Sequence, residues 1–455
     1  MKSADTNWIR RMDNRCINVI GAGLAGCEAA YQAAIRGVKV NLYEMKPSKY
    51  TPAHHSPNFA ELVCSNSLRS DELSNAIGVL KAEMRATGSL ILEAADSTKV
   101  PAGSALAVDR EMFSAYITEK VKNHPNITVI YDEVTSINPN DITVVATGPL
   151  TSDSMSSFIA DGLGLNGLHF FDAAAPIVDF ESIDMTKAFF ASRYNKGDAD
   201  YINCPMNEEE YSAFYNALIS ADEAELHEFD KKEQALTVFE GCMPVEVMAK
   251  RGYDTLLYGP LKPVGIEHPE TKETYHAVVQ LRKENVSGTM FNIVGFQTHL
   301  TFAEQKRVFS LIPGLQNAVF LRYGVMHRNT YLDSPKYLTH FYSLKSNPNI
   351  YFAGQMTGVE GYIESASSGY LAGVNASRRA RGIEEIDLTD KTVIGALAHF
   401  VNNGAYSGNF QPMNANFGIV APLEYKVKGG KKARNEEIAK RALNIIEQMK
   451  GEILK

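Results

Sequence analysis

At 455 residues, with 45% hydrophobic and 22% charged residues, the chain is long enough for two or three domains around a sizeable core, and its ordinary charged share excludes global disorder. A net charge of -8 excludes a global electrostatic pull toward nucleic acid but leaves room for local basic patches. Five cysteines, Cys16, Cys27, Cys64, Cys204 and Cys242, include no CxxC pair, so zinc-ribbon and thioredoxin-type chemistry is excluded, and a sparse, odd set suits a reducing compartment. Residues 1–15 hold no apolar stretch of signal-peptide kind, and no run approaches the length of a bilayer span, so a cytoplasmic protein without a membrane partner is expected.

In chain order, residues 16–44 read as strand, tight turn, helix and strand: CINVI is a short apolar run, GAGLAGCEAAYQAAIRG carries helix formers and a terminal glycine, and KVNLYE is the second strand. Residues 45–75, with Pro47, Pro52 and Pro57 among many Ser and Asn, read as loop. Helical patterns follow around 76–96 and 109–124, and ITVIYDEV and DITVVATG read as strands. Residues 151–335 form a middle block of mixed strand and helix without dinucleotide signatures. NIYFAGQ restarts the strand-to-helix pattern, a small-residue helix runs to about Arg381, and 423–455 reads as a charged helix behind a glycine–lysine linker.

The strongest motif is GAGLAG, residues Gly21, Ala22, Gly23, Leu24, Ala25 and Gly26, of the form GxGxxG. In that form the first glycine permits the tight turn, the second lets a pyrophosphate approach the backbone, and the third packs helix against strand. The helix start then offers unpaired N–H groups and a positive dipole end to phosphates. Glu44 ends the next strand about 20 residues on, where a carboxylate accepts ribose hydroxyls and repels a 2′-phosphate. A ligand-free glycine turn is the plain alternative, and the flanking strand, helix and acid weigh against it.

Two further segments separate FAD from NAD. TVVATG, with Thr147 and Gly148, resembles the second fingerprint of two-dinucleotide-fold flavoproteins, and NIYFAGQ, with Gly354, resembles their third. Gln355 stands where many such proteins carry Asp; its amide can still bond ribityl hydroxyls or phosphate. The helix that begins near Gly361 can stabilise negative charge on a reduced flavin. Its small face of Ser365, Ala366, Ser368, Gly369, Ala372 and Gly373 suits close packing in any case. No second GxGxxG exists, so a pyridine nucleotide, NADPH or NADH, would dock transiently over the flavin. The expected fold is α/β: a two-dinucleotide-fold FAD-binding Rossmann domain from 16–165 and 335–455, a smaller α/β domain inserted at 166–334 on the substrate side, and an N-terminal extension, 1–15.

Five segments together carry more than any one fingerprint: TPAHHSPNFAELVCSNSLRS, ALTVFEGCMPVEVMAKRG, NIVGFQTHL, RYGVMHRNTY and FAGQMTGVEGYIESASSG. They resemble the folate- and FAD-dependent tRNA uracil-54 C5-methyltransferases, the TrmFO family, related to the GidA flavoproteins, from Cys16 to about Tyr425. The resemblance implies methylation of C5 of a T-loop uridine in tRNA. The carbon would come from 5,10-methylenetetrahydrofolate, pass by way of FAD, and be reduced to methyl by flavin hydride, after NADPH or NADH has reduced the cofactor.

Residue chemistry agrees with that reaction. Uracil C5 is a poor nucleophile until something adds at C6, and a thiolate adds and leaves readily. A second group must take the C5 proton. By resemblance, Cys242 in FEGCMP is the C6 nucleophile, and Cys64 in ELVCSNS protects or deprotonates beside the flavin; the alternative is that both are small buried hydrophobes, as Cys16, Cys27 and Cys204 are expected to be. Tyr362 matches a family aromatic that packs on the isoalloxazine ring, with a plain core tyrosine as the other reading. His54 and His55 lack further ligands at metal spacing, so they are loop residues near folate or RNA, and no metal is expected. Arg282, Lys283, Arg322, His327 and Arg328 are candidate phosphate contacts on the RNA side, against a solvated charged face. The tail KVKGGKKARN, five basic residues without an acid, can reach RNA backbone or simply aid solubility. Ribosomal RNA as substrate, or GidA-like modification of a wobble uridine, stay open as alternatives, the second disfavoured by the lack of a long C-terminal helical extension.

Overall fold

The apolar run Cys16–Ile20 forms the central strand of a five-stranded parallel sheet, in the order Ile350–Phe352, Ile142–Val145, Cys16–Ile20, Lys39–Tyr43 and Ile127–Ile130. The computed structural model describes residues 16–455 apart from 52, 166, 174, 196–197, 225–242, 325 and 404–409. Parallel neighbours need a crossover, and Leu24–Ile35 supplies the first as a helix. Ile20 pairs with Tyr43 on one side and Val145 on the other, and Val145 pairs with Phe352. The residues just after these strands therefore meet at one carboxyl edge, where open α/β sheets bind ligands.

Small residues bring the far end of the chain onto this edge. The helix Tyr362–Arg381 lies against Leu24–Ile35 so closely that a Cβ at Gly369 would sit 2.2 Å from the Ala25 carbonyl oxygen, and one at Gly373 2.5 Å from that of Ala29. Two buried carboxylates satisfy helix starts that would otherwise be orphaned. Glu28 accepts the amides of Leu90 (3.2 Å) and Ile91 (2.9 Å), and Glu83 those of Val393 (2.8 Å) and Ile394 (2.9 Å). Burial raises both carboxyls, Glu83 to about 8.

A second core lies in the middle of the chain, around Tyr211, Phe214, Phe296 and Phe309. Its sheet has six strands, in the order Phe189–Ala191, Tyr201–Met206, Ala277–Lys283, Met290–Ile293, Ile177–Asp179 and Phe320–Arg322, paired antiparallel. An antiparallel ribbon of Gly167–Ala173 with Met326–Leu332 carries the chain in and out. The first core draws on residues up to Leu165 and from Leu332 onward.

Three local expectations change. The stretch read as loop contains a strand, Ser67–Ser70, paired with Ala105–Val108; its polar SLRS sequence gave no apolar alternation. The single helical pattern at 76–96 is two helices, Ala76–Ala86 and Leu90–Ser97, parted at Gly88 with φ of 81°. Cys27 and Cys204 are buried as expected, Cys204 pushed up to about 12 by burial, but Cys16 is exposed at its strand's first position.

Candidate cofactor and catalytic site

One cleft at the carboxyl edge of the parallel sheet gathers residues from four separate stretches of sequence. Gly21, Gly23, Leu24, Ala25, Glu44, Thr147, Gly148, Gly354, Gln355 and Tyr362 all line it. The empty space within it is about 1170 Å³, open solvent at the mouth included. Gly26 stands behind the wall, where a Cβ would lie 1.8 Å from the Gly21 carbonyl oxygen. Gly21 turns with φ of +97° and leaves no room toward Ala146. At Gly23, by contrast, a Cβ would meet nothing within 4 Å.

This donor set fits FAD. The open face at Gly23 and the start of the helix Leu24–Ile35 leave room and unpaired amides that could hold phosphates. Glu44 is fixed beside it: Oε2 accepts the Ala22 amide at 2.9 Å and Oε1 the Lys46 amide at 3.0 Å, and the remaining lone pairs can accept ribose hydroxyls. Across the cleft, the helix Tyr362–Arg381 begins with Tyr362 and Ser365 on the wall. The Gln355 amide donates to Glu360 at 2.6 Å. Where many such proteins carry an acid beside Gly354, this chain has an amide–carboxylate pair.

Cys64 follows Val63, which lines the cleft, and is half-buried. The Tyr362 hydroxyl accepts the amides of Cys64 (2.7 Å) and Ser65 (3.2 Å), and burial holds the Tyr362 phenol well above its ordinary range. Tyr362 thereby ties the thiol segment to the cleft wall, a link invisible from sequence because 298 residues separate it from Cys64. Cys242 lies outside the described residues, as does the extension 1–15.

The arginines expected at an RNA face are placed otherwise. Arg282 is 7% exposed and donates to Ser65 Oγ at 2.6 Å and Asn66 Oδ1 at 3.1 Å. Arg322 donates to the Val63 carbonyl. Both guanidinium groups are spent inside the protein, so neither is the open phosphate contact expected. Lys283 is half-buried at the end of its strand, and His327 and Arg328 fall on the ribbon strand Met326–Leu332. Two partners were missed in sequence: Arg110, which donates to the Leu62 carbonyl, and Glu284, which holds Arg110 at 2.9 Å. The alternation of Arg282 with Glu284 along one strand face was the available signal. His54 lines the cleft and meets Thr51 at 2.6 Å, while the His55 amide bonds Glu61 at 3.0 Å. Away from the cleft, His399 meets Asp387 at 3.0 Å and stacks on His340; one ligand atom of each of the three lies within 4.8 Å of the others, a spacing that could hold a metal ion. The five basic tail residues, Lys426, Lys428, Lys431, Lys432 and Arg434, are exposed. Among the described residues, no helix is long and apolar enough to cross a membrane.

Comparison with known proteins agrees with this geometry. A family model described as glucose inhibited division protein A matches residues 16–384. The methylenetetrahydrofolate–tRNA-(uracil-5-)-methyltransferase TrmFO of Acetivibrio thermocellus is 60% identical over 432 residues, 95% of this chain and 98% of that protein. The protein of the same name from Staphylococcus saprophyticus is 56% identical over 434 residues, again 95% and 98%. Among solved structures, GidA of Aquifex aeolicus in two crystal forms superposes with TM-scores of 0.67 and 0.68 at 18% identity. These cover 95% of this chain and 73% and 76% of theirs, and they show the shared fold. The chain belongs to the GidA family, in the TrmFO group to which these near full-length relatives belong.

Proposed function

We propose that this chain methylates C5 of a uridine in tRNA, position 54 of the T-loop, with 5,10-methylenetetrahydrofolate as carbon donor. The observation that carries this reading is identity of 56–60% along nearly the whole length of relatives bearing that activity in their names. The cleft supports it. FAD, when bound there, supplies redox chemistry and carriage of the one-carbon unit, reduced by NADPH or NADH docking from solution.

The chain's own residues do the rest. Gly21, Gly23, Leu24, Ala25 and Gly26 build the phosphate cradle, Glu44 orients the ribose, and Thr147, Gly148, Gly354 and Gln355 line the far wall. Tyr362 fixes the backbone at Cys64. The Cys242 thiolate adds to C6 of uracil, which makes C5 nucleophilic toward the methylene carbon; with the C5 proton lost, the bond from that carbon to its carrier would break to leave an exocyclic methylene, and a hydride, which bound FAD would supply, would convert it to methyl as the thiolate leaves C6. Cys64 guards the one-carbon unit from water or takes that proton. Residues 166–334 form the substrate side, with the exposed basic tail as a further backbone contact, and a tRNA substrate places the work in the cytoplasm.

Mass spectrometry of nucleosides from cells lacking the gene tests the substrate. Loss of 5-methyluridine from tRNA is expected. Loss from ribosomal RNA alone would move the substrate, and an altered wobble nucleoside with 5-methyluridine intact would overturn the reading.

A further inference from the structure

The five residues from Leu62 to Asn66 carry Cys64 without helix or strand, yet they are held from both sides of the thiol. Before it, Arg110 donates to the Leu62 carbonyl and Arg322 to that of Val63. After it, Arg282 donates to Ser65 Oγ and Asn66 Oδ1, and Asn66 donates to the carbonyls of Val108 (3.0 Å) and Lys283 (2.9 Å). At the thiol residue itself, the Tyr362 oxygen takes the amide. Glu284, 1% exposed, completes the set: Oε2 holds Arg110 while Oε1 accepts no hydrogen bond from the described residues.

We propose that Arg110 and Arg322 are positioning residues for Cys64. This deepens the reading above and rests on the role given there to Cys64. Loop segments are ordinarily mobile, and a reacting group on one is placed only as well as its supporting shell. A planar guanidinium fixes the direction as well as the distance of the carbonyl it bonds. Arg322 comes from the strand Phe320–Arg322, and Arg282 from Ala277–Lys283. Arg110 starts the helix Arg110–Lys122, and Tyr362 starts Tyr362–Arg381. The thiol is therefore located by both cores at once. Arg110 pairs with Glu284, whereas Arg282 and Arg322 bond uncharged groups of the segment, so the space beside Cys64 also attracts negative charge developing there.

The test uses full-length, FAD-loaded Arg110→Gln, Arg322→Gln and Arg322→Lys, with Cys64→Ala in parallel. Flavin content, tRNA methylation kinetics and the iodoacetamide alkylation rate of Cys64, read by peptide mass spectrometry, are measured. Since a 1 Å misplacement costs on the order of 10²-fold, kcat in both Gln variants should fall at least about tenfold while KM for tRNA stays within about twofold. Flavin content should hold, the Cys64 alkylation rate should change, and Arg322→Lys should recover part of kcat. If Cys64→Ala is inactive but both Gln variants keep wild-type kcat and alkylation rate, the positioning inference is overturned and the role of Cys64 survives. If Cys64→Ala methylates normally, the underlying reading fails instead. Should a Gln variant lose flavin or melt early, Arg322→Lys, which keeps charge and a donor, decides by the same alkylation and kcat criteria.

Discussion

Two neighbouring glycines of the cleft should fail in different ways. Gly23 has φ of -73°, open to any residue, and a Cβ there meets nothing within 4 Å. Leucine at this helix N-cap should cost the fold no more than about 1 kcal/mol. Its side chain would nevertheless fill the phosphate cradle. Losing two charge-assisted hydrogen bonds there, about 1.5–3 kcal/mol each, weakens FAD binding by about 3–6 kcal/mol, on the order of 10²–10⁴-fold. At Gly21, φ is +97° and a Cβ lies 2.6 Å from the Ala146 carbonyl oxygen. Strain and overpacking should then cost about 2–6 kcal/mol whether or not flavin is bound. Flavin absorbance retained after desalting, FAD titration, and melting of the apo-proteins separate the two. Gly23→Leu should be colourless yet melt near the wild-type apo-protein, whereas Gly21→Ala should melt early. If Gly23→Leu binds FAD within about tenfold of wild type, or destabilises the apo-protein as much as Gly21→Ala does, the cradle is misassigned.

Other consequences follow from the same geometry. Cys242→Ala should keep FAD, accept electrons from NADPH and bind tRNA, yet form neither methyluridine nor the covalent adduct that 5-fluorouridine RNA makes with wild type; an adduct that survives in Cys242→Ala and vanishes in Cys64→Ala would reverse the two roles. Gly369→Leu places side-chain atoms where a Cβ alone would be 2.2 Å from the Ala25 carbonyl oxygen, so it should cost upwards of about 3 kcal/mol and appear as early melting or insolubility; wild-type melting would show that the two helices are not so tightly apposed. The Glu83 carboxyl, raised to about 8 by burial despite the two helix amides it accepts, lies above its unfolded value, so the unfolded chain loses the proton first. Its contribution to stability is full below about pH 4 and is lost as pH rises through about 8. Glu83→Gln should flatten the fall in melting temperature across that window, and parallel profiles for variant and wild type would refute the burial argument.

What the sequence makes legible is chemistry built from local backbone. The turn at Gly21, the opening at Gly23, the close approach at Gly26 and the acid at Glu44 sit within one strand–helix–strand unit, and spacing alone dictates how they meet. The small face of the helix Tyr362–Arg381 is legible for the same reason, since Gly369 and Gly373 fall on one side by helical period. The support of Cys64 is not local. Arg110 and Arg322 reach Leu62 and Val63 across 48 and 259 residues, and an arginine at a helix start or on a strand reads alike whether it faces solvent or a buried carbonyl. The Glu28 and Glu83 caps escape for the same cause, because the amides they satisfy begin helices 62 and 310 residues away.

The source of the transferred carbon tests the central claim most directly. Purified, FAD-loaded protein is given tRNA lacking 5-methyluridine, a pyridine nucleotide reductant, and either methylenetetrahydrofolate labelled in its methylene carbon or S-adenosylmethionine labelled in its methyl. Label in the C5 methyl of a single T-loop uridine, from the folate alone, is the expected result. Label entering from S-adenosylmethionine, with none from the folate, would contradict the account.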